Sequence, residues 1–256
     1  MRQYAFPAHS ISYIGQSAYR TIISKSRAVS IRDMPWVPVF WHNVGGKYVF
    51  TCPLGGDDFE VTARIRQPQP ADGQEQVSWG RPYDFRQLLH EYDEFCPPVR
   101  AVVQLAAESD PGTQEFALFA GPRLDAVVAN GAVALIGDAA HPLSGAFGAG
   151  AGFALEDCHA LRRCVEWAWT QENPLPLGDG LALFDSVRSS HYRRLYSVLD
   201  KMKGMNAALL QEGLDIDSEI EERVRRAEDE RWMYHYKVDE AVDELLQGSS
   251  HYSQRR

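Results

Sequence analysis

One run of residues has the types and spacing needed to hold a cofactor. It begins with the apolar segment Val133–Ile136, continues with an acid, Asp138, and passes through a glycine-containing loop that opens into a helix near Gly150. Proteins bind flavin and nucleotide cofactors with this order of strand, acid, glycine loop and helix. The run from Gly137 to Asp157 is therefore predicted to be a cofactor site.

Two interpretations of Asp138 are open. A carboxylate at the end of a strand either accepts hydrogen bonds from the hydroxyl groups of a sugar or ribitol, or caps the next turn. The loop favours the ligand, because Gly145, Gly148, Gly150 and Gly152 remove side chains where a ring would approach the backbone. The alternative for these glycines is a close contact between helix and sheet.

The start of the predicted helix adds a favourable field. Its first turn leaves backbone N–H groups without partners and carries a partial positive charge of about 0.5. A flavin whose N1–C2=O edge lay there would have its anionic reduced form stabilised.

Three titratable residues beside the run are interpreted as structural. Glu156 and Asp157 lie in the first turns of the predicted helix, where the helix dipole favours acids whatever their function. His141 stands before Pro142 and is expected to fix backbone by hydrogen bonding, with acid–base catalysis as the alternative.

Other chemistries find little support in the sequence. Ser144 has Pro142 two positions before it, where the G-x-S-x-G elbow of a hydrolase needs glycine. The Gly-x-Gly at 148–150 is followed by Phe153 at the third glycine position of the dinucleotide fingerprint. No metal-ligand spacing is found among the histidines and cysteines. The cysteines are interpreted as buried reduced thiols: Cys52, Cys96, Cys158 and Cys164.

The first part of the chain is predicted to be an antiparallel sheet with helices. A strand spans Tyr13–Ile23, and Val37–Arg66 contains three apolar runs separated by glycine-containing turns, which predicts a three-stranded meander. His42 and Tyr48 face each other there, as cross-strand neighbours or, alternatively, as substrate contacts. A polar loop covers Gln67–Gly80. Two helices and a strand follow, over Asp84–Tyr92, Pro98–Ala107 and Phe116–Phe119.

The rest of the chain is predicted to be helical after a short strand, Ala132–Ile136. A helix over Gly150–Trp169 has a stripe at steps of three and four that predicts its buried face: Ala151, Ala154, Cys158, Leu161, Val165 and Ala168. A second helix spans Leu181–Lys203, and the charged segment 211–247 is predicted to form exposed helices. The expected domains are residues 1–120, 121–172 and 173–256.

Composition narrows the class of protein. The chain has 256 residues, of which 45% are hydrophobic and 24% charged, values typical of a globular protein with a core. A net charge of −9 argues against nucleic-acid binding. No signal peptide or apolar run of membrane-spanning length is evident, so the sequence predicts a soluble, cytoplasmic protein with no membrane partner.

The cofactor run resembles a known motif. Gly137 to Pro142, Gly148 to Gly150 and Ala154 to Asp157 are similar to the second FAD-binding motif of single-component flavoprotein aromatic hydroxylases. The nearest subgroup is the salicylate hydroxylase-like FAD-dependent monooxygenases, especially fungal ones. Similar stretches lie elsewhere in the chain: Gly15-Gln16-Ser17-Ala18-Tyr19-Arg20, Phe116-Ala117-Leu118-Phe119, and Phe184-Asp185-x-Val187-Arg188 with His191-Tyr192.

The resemblance implies a fold and a site. An antiparallel substrate domain, with its sheet from Tyr13 to Phe119 over the substrate, would be joined to the C-terminal part of a Rossmann-like flavin domain and to C-terminal helices. Asp138 would bind the flavin ribitol, Pro142 would pack near the isoalloxazine, and the backbone of Gly148–Gly152 would line the pyrimidine edge. The expected cofactor-binding residues are Gly137, Asp138, Ala139, Pro142, Gly148, Ala149, Gly150 and Ala151.

The resemblance also implies the reaction. FAD would be reduced by NAD(P)H, and dioxygen would supply the oxygen atom that hydroxylates a small aromatic compound such as a salicylate-like acid. No side chain is assigned as an essential acid or base.

The sequence departs from the family pattern in two ways. Where many members have proline and then Gly-Gln-Gly, this chain has Gly145 and Gly148-Ala149-Gly150. The G-x-G-x-x-G turn and the later Asp-Gly motif, which hold the ADP half of FAD in the family, have no counterpart. The strand Ala132–Ile136 would then belong to a parallel sheet with an exposed apolar edge. Three explanations stay open: a truncated chain, a remnant that does not retain FAD, or a separate N-terminal FAD-binding segment as partner.

Overall fold

A computed structural model describes residues 1–43, 46–67, 79–109, 112–143, 148–208, 215–227, 232 and 235–253. The chain forms two compact units. Residues 13–119 make one, here called the sheet unit, and residues 1–12 with 120–256 make the other, called the helical unit. The three-part domain division stays a prediction.

The sheet unit is built on an antiparallel sheet. Within the described residues its strands lie in the order β2-β3-β4-β1-β6-β5. They are β1 (Ser12–Ser24), β2 (Val39–His42), β3 (Tyr48–Pro53), β4 (Asp58–Arg66), β5 (Trp79–Pro82) and β6 (Gln114–Ala120). The predicted meander is confirmed, since β2 pairs with β3 and β3 with β4, both antiparallel.

One face of this sheet is covered by helices. Alternate residues of β4, such as Val61 and Ala63, are buried and pack with helical side chains such as Leu88 and Val102 in one apolar cluster. The covering elements are a 3₁₀ helix (Phe85–Tyr92) and α3 (Pro97–Ser109). A short helix, α2 (Lys25–Ala28), contacts α3, and its Ala28 belongs to the same cluster. Both predicted helices are therefore confirmed. The carboxylate of Asp84 caps the first of them by accepting the Arg86 N–H, as its position predicts.

The end of the predicted polar loop is wrong. Residues 79–80 belong to β5, which pairs with β6 and has a register shift between Trp79 and Arg81. Gly80 lies between them with a φ of +83°. A bulge with a glycine interrupts the alternation from which strands are predicted, which explains the error. The rest of the predicted loop, residues 68–78, lies outside the described residues.

The helical unit begins with α1 (Arg2–Ala5) and resumes at residue 120. A short hairpin, β7 (Val128–Ala129) and β8 (Val133–Ala134), leads into a single 3₁₀ turn over Gly137–Ala139. The helices that follow are α4 (Gly150–Trp169), α5 (Leu177–Ala208), α6 (Ile216–Ala227) and α7 (Val238–Ser253). The predicted helix at 150–169 is confirmed at both ends.

Helices α4 and α5 pack closely. The virtual Cβ of Gly180 would lie 3.1 Å from the carbonyl oxygen of Cys164, a distance too short for a comfortable side chain. Apolar residues of both helices, including Ala160, Phe184 and Leu195, share one core cluster. A glycine at this point lets the two backbones approach.

The buried face of α4 differs from the predicted stripe. The buried residues of this helix are Phe153, Asp157, Ala160, Cys164 and Ala168, of which only Ala168 belongs to the predicted stripe. Exposed residues of that stripe are Ala151 and Cys158. The face was predicted from apolar residues alone, whereas the true face includes a carboxylate whose charge is paired inside the protein.

The C-terminal helices and the cysteines also differ from expectation. Helix α7 is not wholly exposed, because Val242 and Leu246 are buried in the core cluster. Cys96 and Cys158 are exposed, Cys52 is half-buried and Cys164 is buried. Cysteines need not be buried when neither a disulfide nor a metal constrains them.

The strand before the turn is shorter than predicted. Only Val133–Ala134 is a strand, and it pairs antiparallel with Val128–Ala129 rather than in a parallel sheet. Leu135 is buried, and Val133 and Ile136 pack against the core cluster. The expected exposed apolar edge is thus covered within the helical unit.

Candidate functional site

The predicted site is centred on a tight turn at residues 137–141. The carbonyl oxygen of Gly137 accepts hydrogen bonds from the N–H groups of Ala140 (2.8 Å) and His141 (2.9 Å). Gly137 has a φ of +56°, and a Cβ there would lie 3.2 Å from the Cβ of Ala154. Only glycine suits both this conformation and this approach of α4.

Asp138 is exposed on the outer side of the turn. A Cβ at Gly150 would lie 3.9 Å from Oδ1 of Asp138, so the carboxylate adjoins the start of α4. The residues at the N-cap positions of the 3₁₀ turn and of α4 are Ile136 and Ala149, and neither makes a side-chain cap within the described residues. Both interpretations of Asp138 stay predictions.

The start of α4 is bare. Ala149 is the N-cap residue and offers no side-chain cap, so the first N–H groups of the helix lack a side-chain acceptor within the described residues. Gly148 has a φ of +63°, and virtual Cβ atoms at Gly148 and Gly152 would meet nothing within 4 Å. Among the described residues, the backbone here presents N–H donors beside small residues, which are Gly148, Ala149, Gly150, Ala151 and Gly152.

Beneath the turn lies a buried carboxylate, Asp157, with no exposed surface. Its Oδ2 accepts the N–H of Gly137 and lies 2.8 Å from Nε2 of His141. Its Oδ1 accepts Nε–H of Arg188 at 2.7 Å and the hydroxyl of Tyr192. Burial raises the pKa of Asp157, but the His141 hydrogen bond and the Arg188 charge outweigh it, and the net pKa is lowered.

Arg188 completes this buried network. It bonds Glu156 at 2.9 Å and the hydroxyl of Tyr192 at 3.0 Å, and its guanidinium lies 5.0 Å from the Tyr192 ring centroid. Burial opposes the charge of Arg188, but Tyr192 and Asp157 outweigh that effect and raise its pKa. Burial raises the pKa of Glu156, although the Arg188 charge opposes it.

A second arginine reaches the turn from the N-terminal segment. Arg2 is buried, and its Nη1 donates to the carbonyl oxygens of Ala139 and Ala140, both at 2.9 Å. Nε donates to the carbonyl of His9 at 2.9 Å, and Nη2 to that of Pro122 at 2.7 Å. This single side chain joins the turn to two other segments of the helical unit.

All eight predicted cofactor-binding residues lie in the described part of the helical unit, and Gly150 adjoins Asp138 across the loop. They fall into two groups at the two sides of the loop: Gly137, Asp138, Ala139 and Pro142 on the turn, and Gly148, Ala149, Gly150 and Ala151 at the start of α4. Gly145 and Ser144 lie outside the described residues. That these residues bind a cofactor stays a prediction.

His141 has the structural position that was expected. It is fully buried, and its ring stacks on Tyr192 with centroids 4.3 Å apart. The ring is bonded to the Asp157 carboxylate rather than to a backbone group and has no exposed surface. His42 and Tyr48 are likewise paired across β2 and β3, with ring centroids 5.2 Å apart, as expected of cross-strand neighbours.

Sequence reasoning missed the roles of Arg2 and Asp157. Asp157 was interpreted through the helix dipole alone, and Arg2 was given no role. The available signal was the similarity of the segment Phe184–Arg188 to the family, since Arg188 is the charge that pairs with Asp157. Arg2 offered no signal, because its partners are backbone carbonyls.

Comparisons with known proteins match this chain to salicylate hydroxylases. A salicylate hydroxylase of Pseudomonas putida is 31% identical over 181 residues, which cover 63% of this chain and 40% of that protein. A second salicylate hydroxylase of the same species is 30% identical over 192 residues, covering 70% and 42%. The chain thus spans about two fifths of the length of these curated relatives. No family model matches.

Solved structures share the fold. A salicylate hydroxylase substrate complex matches with a TM-score of 0.69 at 22% identity, covering 92% of this chain and 57% of that one. CtdE in complex with FAD and a substrate matches with a TM-score of 0.69 at 16% identity, covering 97% and 61%. HpxO of Klebsiella pneumoniae with FAD and uric acid has a TM-score of 0.60 at 17% identity, covering 96% and 56%.

These findings confirm the expected fold class and the resemblance to salicylate hydroxylase-like FAD-dependent monooxygenases. Both the sequence matches and the structural matches support this, because they name proteins of the same kind. Among the described helices, none has the length and apolar character needed to span a membrane.

Proposed function

We propose that this chain, a relative of the salicylate hydroxylase-like FAD-dependent monooxygenases, binds the ribityl and isoalloxazine part of FAD and takes part in hydroxylating a small aromatic compound. The cofactor would lie along the exposed side of the 137–141 turn and the start of α4. NAD(P)H would be the reductant and dioxygen the oxygen source.

One observation carries the proposal. The exposed carboxylate of Asp138 stands beside the uncapped start of α4, and the surface between them carries glycines in place of side chains. An acceptor for ribityl hydroxyls and a set of N–H donors for the oxygen-rich edge of a flavin are thus present at one place.

The residues present fit this part of the flavin. The partial positive charge at the start of a helix favours an anionic ring edge, and Asp138 supplies the complementary acceptor. Gly148 and Gly152 leave open space in which a planar ring can approach the backbone. The described residues include no comparable phosphate-binding turn for the ADP half, so the fit concerns the flavin half alone.

The bound cofactor would supply the redox chemistry, by taking up a hydride and delivering one oxygen atom of dioxygen. This chain's own residues bind and orient. Asp138 would hold the ribityl chain, and the first N–H groups of α4 would stabilise negative charge on the ring. The buried network around Asp157 keeps water and mobile side chains away from the inner side of the turn.

The substrate class follows from the relatives. Two curated relatives are named salicylate hydroxylases, and a structural neighbour is complexed with uric acid. Salicylate and uric acid are small planar ring compounds, so an aromatic acid similar to salicylate is the proposed substrate.

Titration of the purified protein with FAD, followed by flavin fluorescence, tests the cofactor site. The Asp138→Ala variant should bind FAD about 10- to 100-fold more weakly, since hydrogen bonds to a charged group contribute about 1.5–3 kcal/mol. Its circular dichroism spectrum should not change, because Asp138 is exposed.

The matched control is Asp125→Ala, which removes another exposed aspartate of the helical unit. It should leave the FAD affinity unchanged. Equal affinities of the wild type and the Asp138→Ala variant would contradict the assignment of Asp138. A wild-type protein that does not retain FAD would support the alternative, a catalytically incompetent relative.

A further inference from the structure

We propose that Asp157 and Arg2 are positioning residues, which hold the 137–141 turn from two sides and thereby fix the direction in which Asp138 meets the flavin. The inference depends on the proposed function for the identity of the ligand. The bracing of the turn itself does not.

Asp157 holds the turn by accepting hydrogen bonds from N–H groups that belong to the turn. Oδ2 accepts the N–H of Gly137, and Nε2 of His141 must carry a hydrogen towards the same oxygen because an ionised carboxylate can only accept. Oδ1 is occupied by Arg188 and Tyr192. Each carboxylate oxygen therefore receives two donors, and both ends of the turn are attached to one side chain of α4.

Arg2 holds the same turn by donating hydrogen bonds to carbonyl groups that belong to the turn. Nη1 donates to Ala139 and Ala140, while the other nitrogens donate to His9 and Pro122. A planar guanidinium fixes four acceptors in one geometry, which a lysine ammonium cannot reproduce. The N-terminal segment is itself packed tightly, since a Cβ at Gly121 would lie 2.6 Å from the carbonyl oxygen of Ser10.

Six backbone groups of the turn have partners among the described residues. The N–H of Gly137 is bound by Asp157, the carbonyl of Gly137 accepts the N–H groups of Ala140 and His141, and the carbonyls of Ala139 and Ala140 are bound by Arg2. Asp138 belongs to this held backbone, and its carboxylate is exposed. A ligand residue with a free side chain on a fixed backbone is preorganised for binding, which lowers the entropy lost when the ligand arrives.

Amide hydrogen exchange of the flavin-free protein tests the bracing directly. In Asp157→Asn, a single amide oxygen replaces two carboxylate oxygens, so one pair of donors must face an NH₂ group. The N–H of Gly137 loses its carboxylate acceptor, so its exchange should become about 10-fold faster or more, the ratio expected for loss of a hydrogen bond to a charged group. The backbone N–H of His141, which is bonded to the Gly137 carbonyl, should also exchange faster because the turn is held less firmly. Amides of α5 should keep their protection.

Arg2→Met provides a second route in case the first variant does not fold. It removes all of the hydrogen bonds that Arg2 donates to the turn while leaving the buried network around Asp157 intact. Exchange at Ala140 and His141 should again rise about 10-fold. The matched control is Asp243→Asn, an ion-paired but half-exposed aspartate of α7, which should leave the turn unchanged.

A double-mutant cycle on flavin affinity separates positioning from stability. Asp157→Asn alone should weaken FAD binding about 10-fold, but it should weaken binding little further in a protein that already carries Asp138→Ala, because its effect passes through Asp138. Additive losses would overturn the positioning role. Faster exchange spread over α4 and α5 alike, or unchanged exchange at residues 137–141, would overturn it too.

The two proposals fail in different ways. If exchange at the turn rises in the variants but the wild type binds no FAD, the positioning role of Asp157 and Arg2 is supported and the proposed function is contradicted. If the wild type binds FAD through Asp138 but exchange at the turn is the same in the variants, the proposed function is supported and the positioning role is contradicted.

Discussion

Mild acid should destabilise the helical unit, because it contains a buried histidine that the fold keeps neutral. His191 is 5% exposed, and its ring lies 3.9 Å from that of Tyr236 and 5.0 Å from that of Trp232, measured between centroids. Burial and the positive charge of Arg188 lower its pKa to about 3. The attraction of Asp157 and the repulsion of Arg194 are smaller effects.

The sign and size follow from proton linkage. The unfolded chain protonates this histidine below its usual pKa of about 6.5, whereas the folded protein does not do so until about pH 3. Between these values the unfolded state binds more protons, so the free energy of unfolding falls as the pH falls. From pH 7 to pH 5 the loss is about 2 kcal/mol for one group shifted this far.

Other ionisable groups lie near His191, and their contributions to the pH dependence of stability must be distinguished from that of His191. Glu156 has an oxygen 3.8 Å from Nε2 of His191, and its raised pKa means that protonation of the folded state opposes the loss. The lowered pKa of Asp157 acts only as the pH falls below about 4, the ordinary range of a carboxyl group. The window from pH 7 to pH 5 therefore reports mainly the histidine.

Urea unfolding at pH 7 and at pH 5, followed by circular dichroism at 222 nm, measures the effect. His191→Phe keeps a ring between the neighbouring aromatic side chains and removes the titration, so it should lose about 2 kcal/mol less than the wild type between the two pH values. His90→Gln, which changes a largely exposed histidine in the sheet unit, is the matched control and should behave as the wild type. Equal pH dependence in the wild type and His191→Phe would refute this reasoning.

Three further outcomes are expected. Gly180→Ala should lower the free energy of unfolding in urea by about 1–3 kcal/mol, since its Cβ would lie 3.1 Å from the α4 backbone. The control is Gly248→Ala, whose Cβ would have no described atom within 4 Å, and it should leave the free energy of unfolding unchanged or raise it. Gly137→Ala should cost about 1–3 kcal/mol because of its positive φ, and a thermal melt with an unchanged midpoint would contradict that. In the native protein Cys158 should react with a thiol reagent, while Cys164, buried and with a pKa raised to about 11, should react only after denaturation, as peptide mapping of the labelled protein would show.

The elements of the fold were largely predictable because their signals are local. The glycine-containing turns of the meander and the helical spacing of residues 150–169 depend on neighbours a few positions apart, and the meander and the bounds of α4 were confirmed. Strand β5 was missed because Gly80 and a register shift break the alternation. The strand β8 was predicted too long because an apolar run does not reveal where backbone pairing stops and packing alone continues.

The buried face of α4 shows where local patterns fail. The residues that are in fact buried, from Phe153 through Ala160 to Ala168, also recur at helical steps. This face includes Asp157, and a carboxylate is normally assigned to the surface, so a stripe of small and apolar residues does not predict it. Burial of this acid became favourable only through donors elsewhere in the fold, and no window of 18 residues contains them all.

Asp138 and Asp157 illustrate what a sequence can and cannot separate. Both are aspartates of one motif, yet one is exposed beside the start of α4 and the other is completely buried beneath the turn. The first was identified from its neighbours in the chain, because a ligand-binding acid at a strand end needs only the strand and the glycine loop. The second takes its donors from positions 16, 20, 31 and 35 residues away, so its role exists only once three helical segments are packed. The residue proposed to bind the ligand is thus recognised from local order, whereas the residue that holds its turn is recognised only in the folded protein.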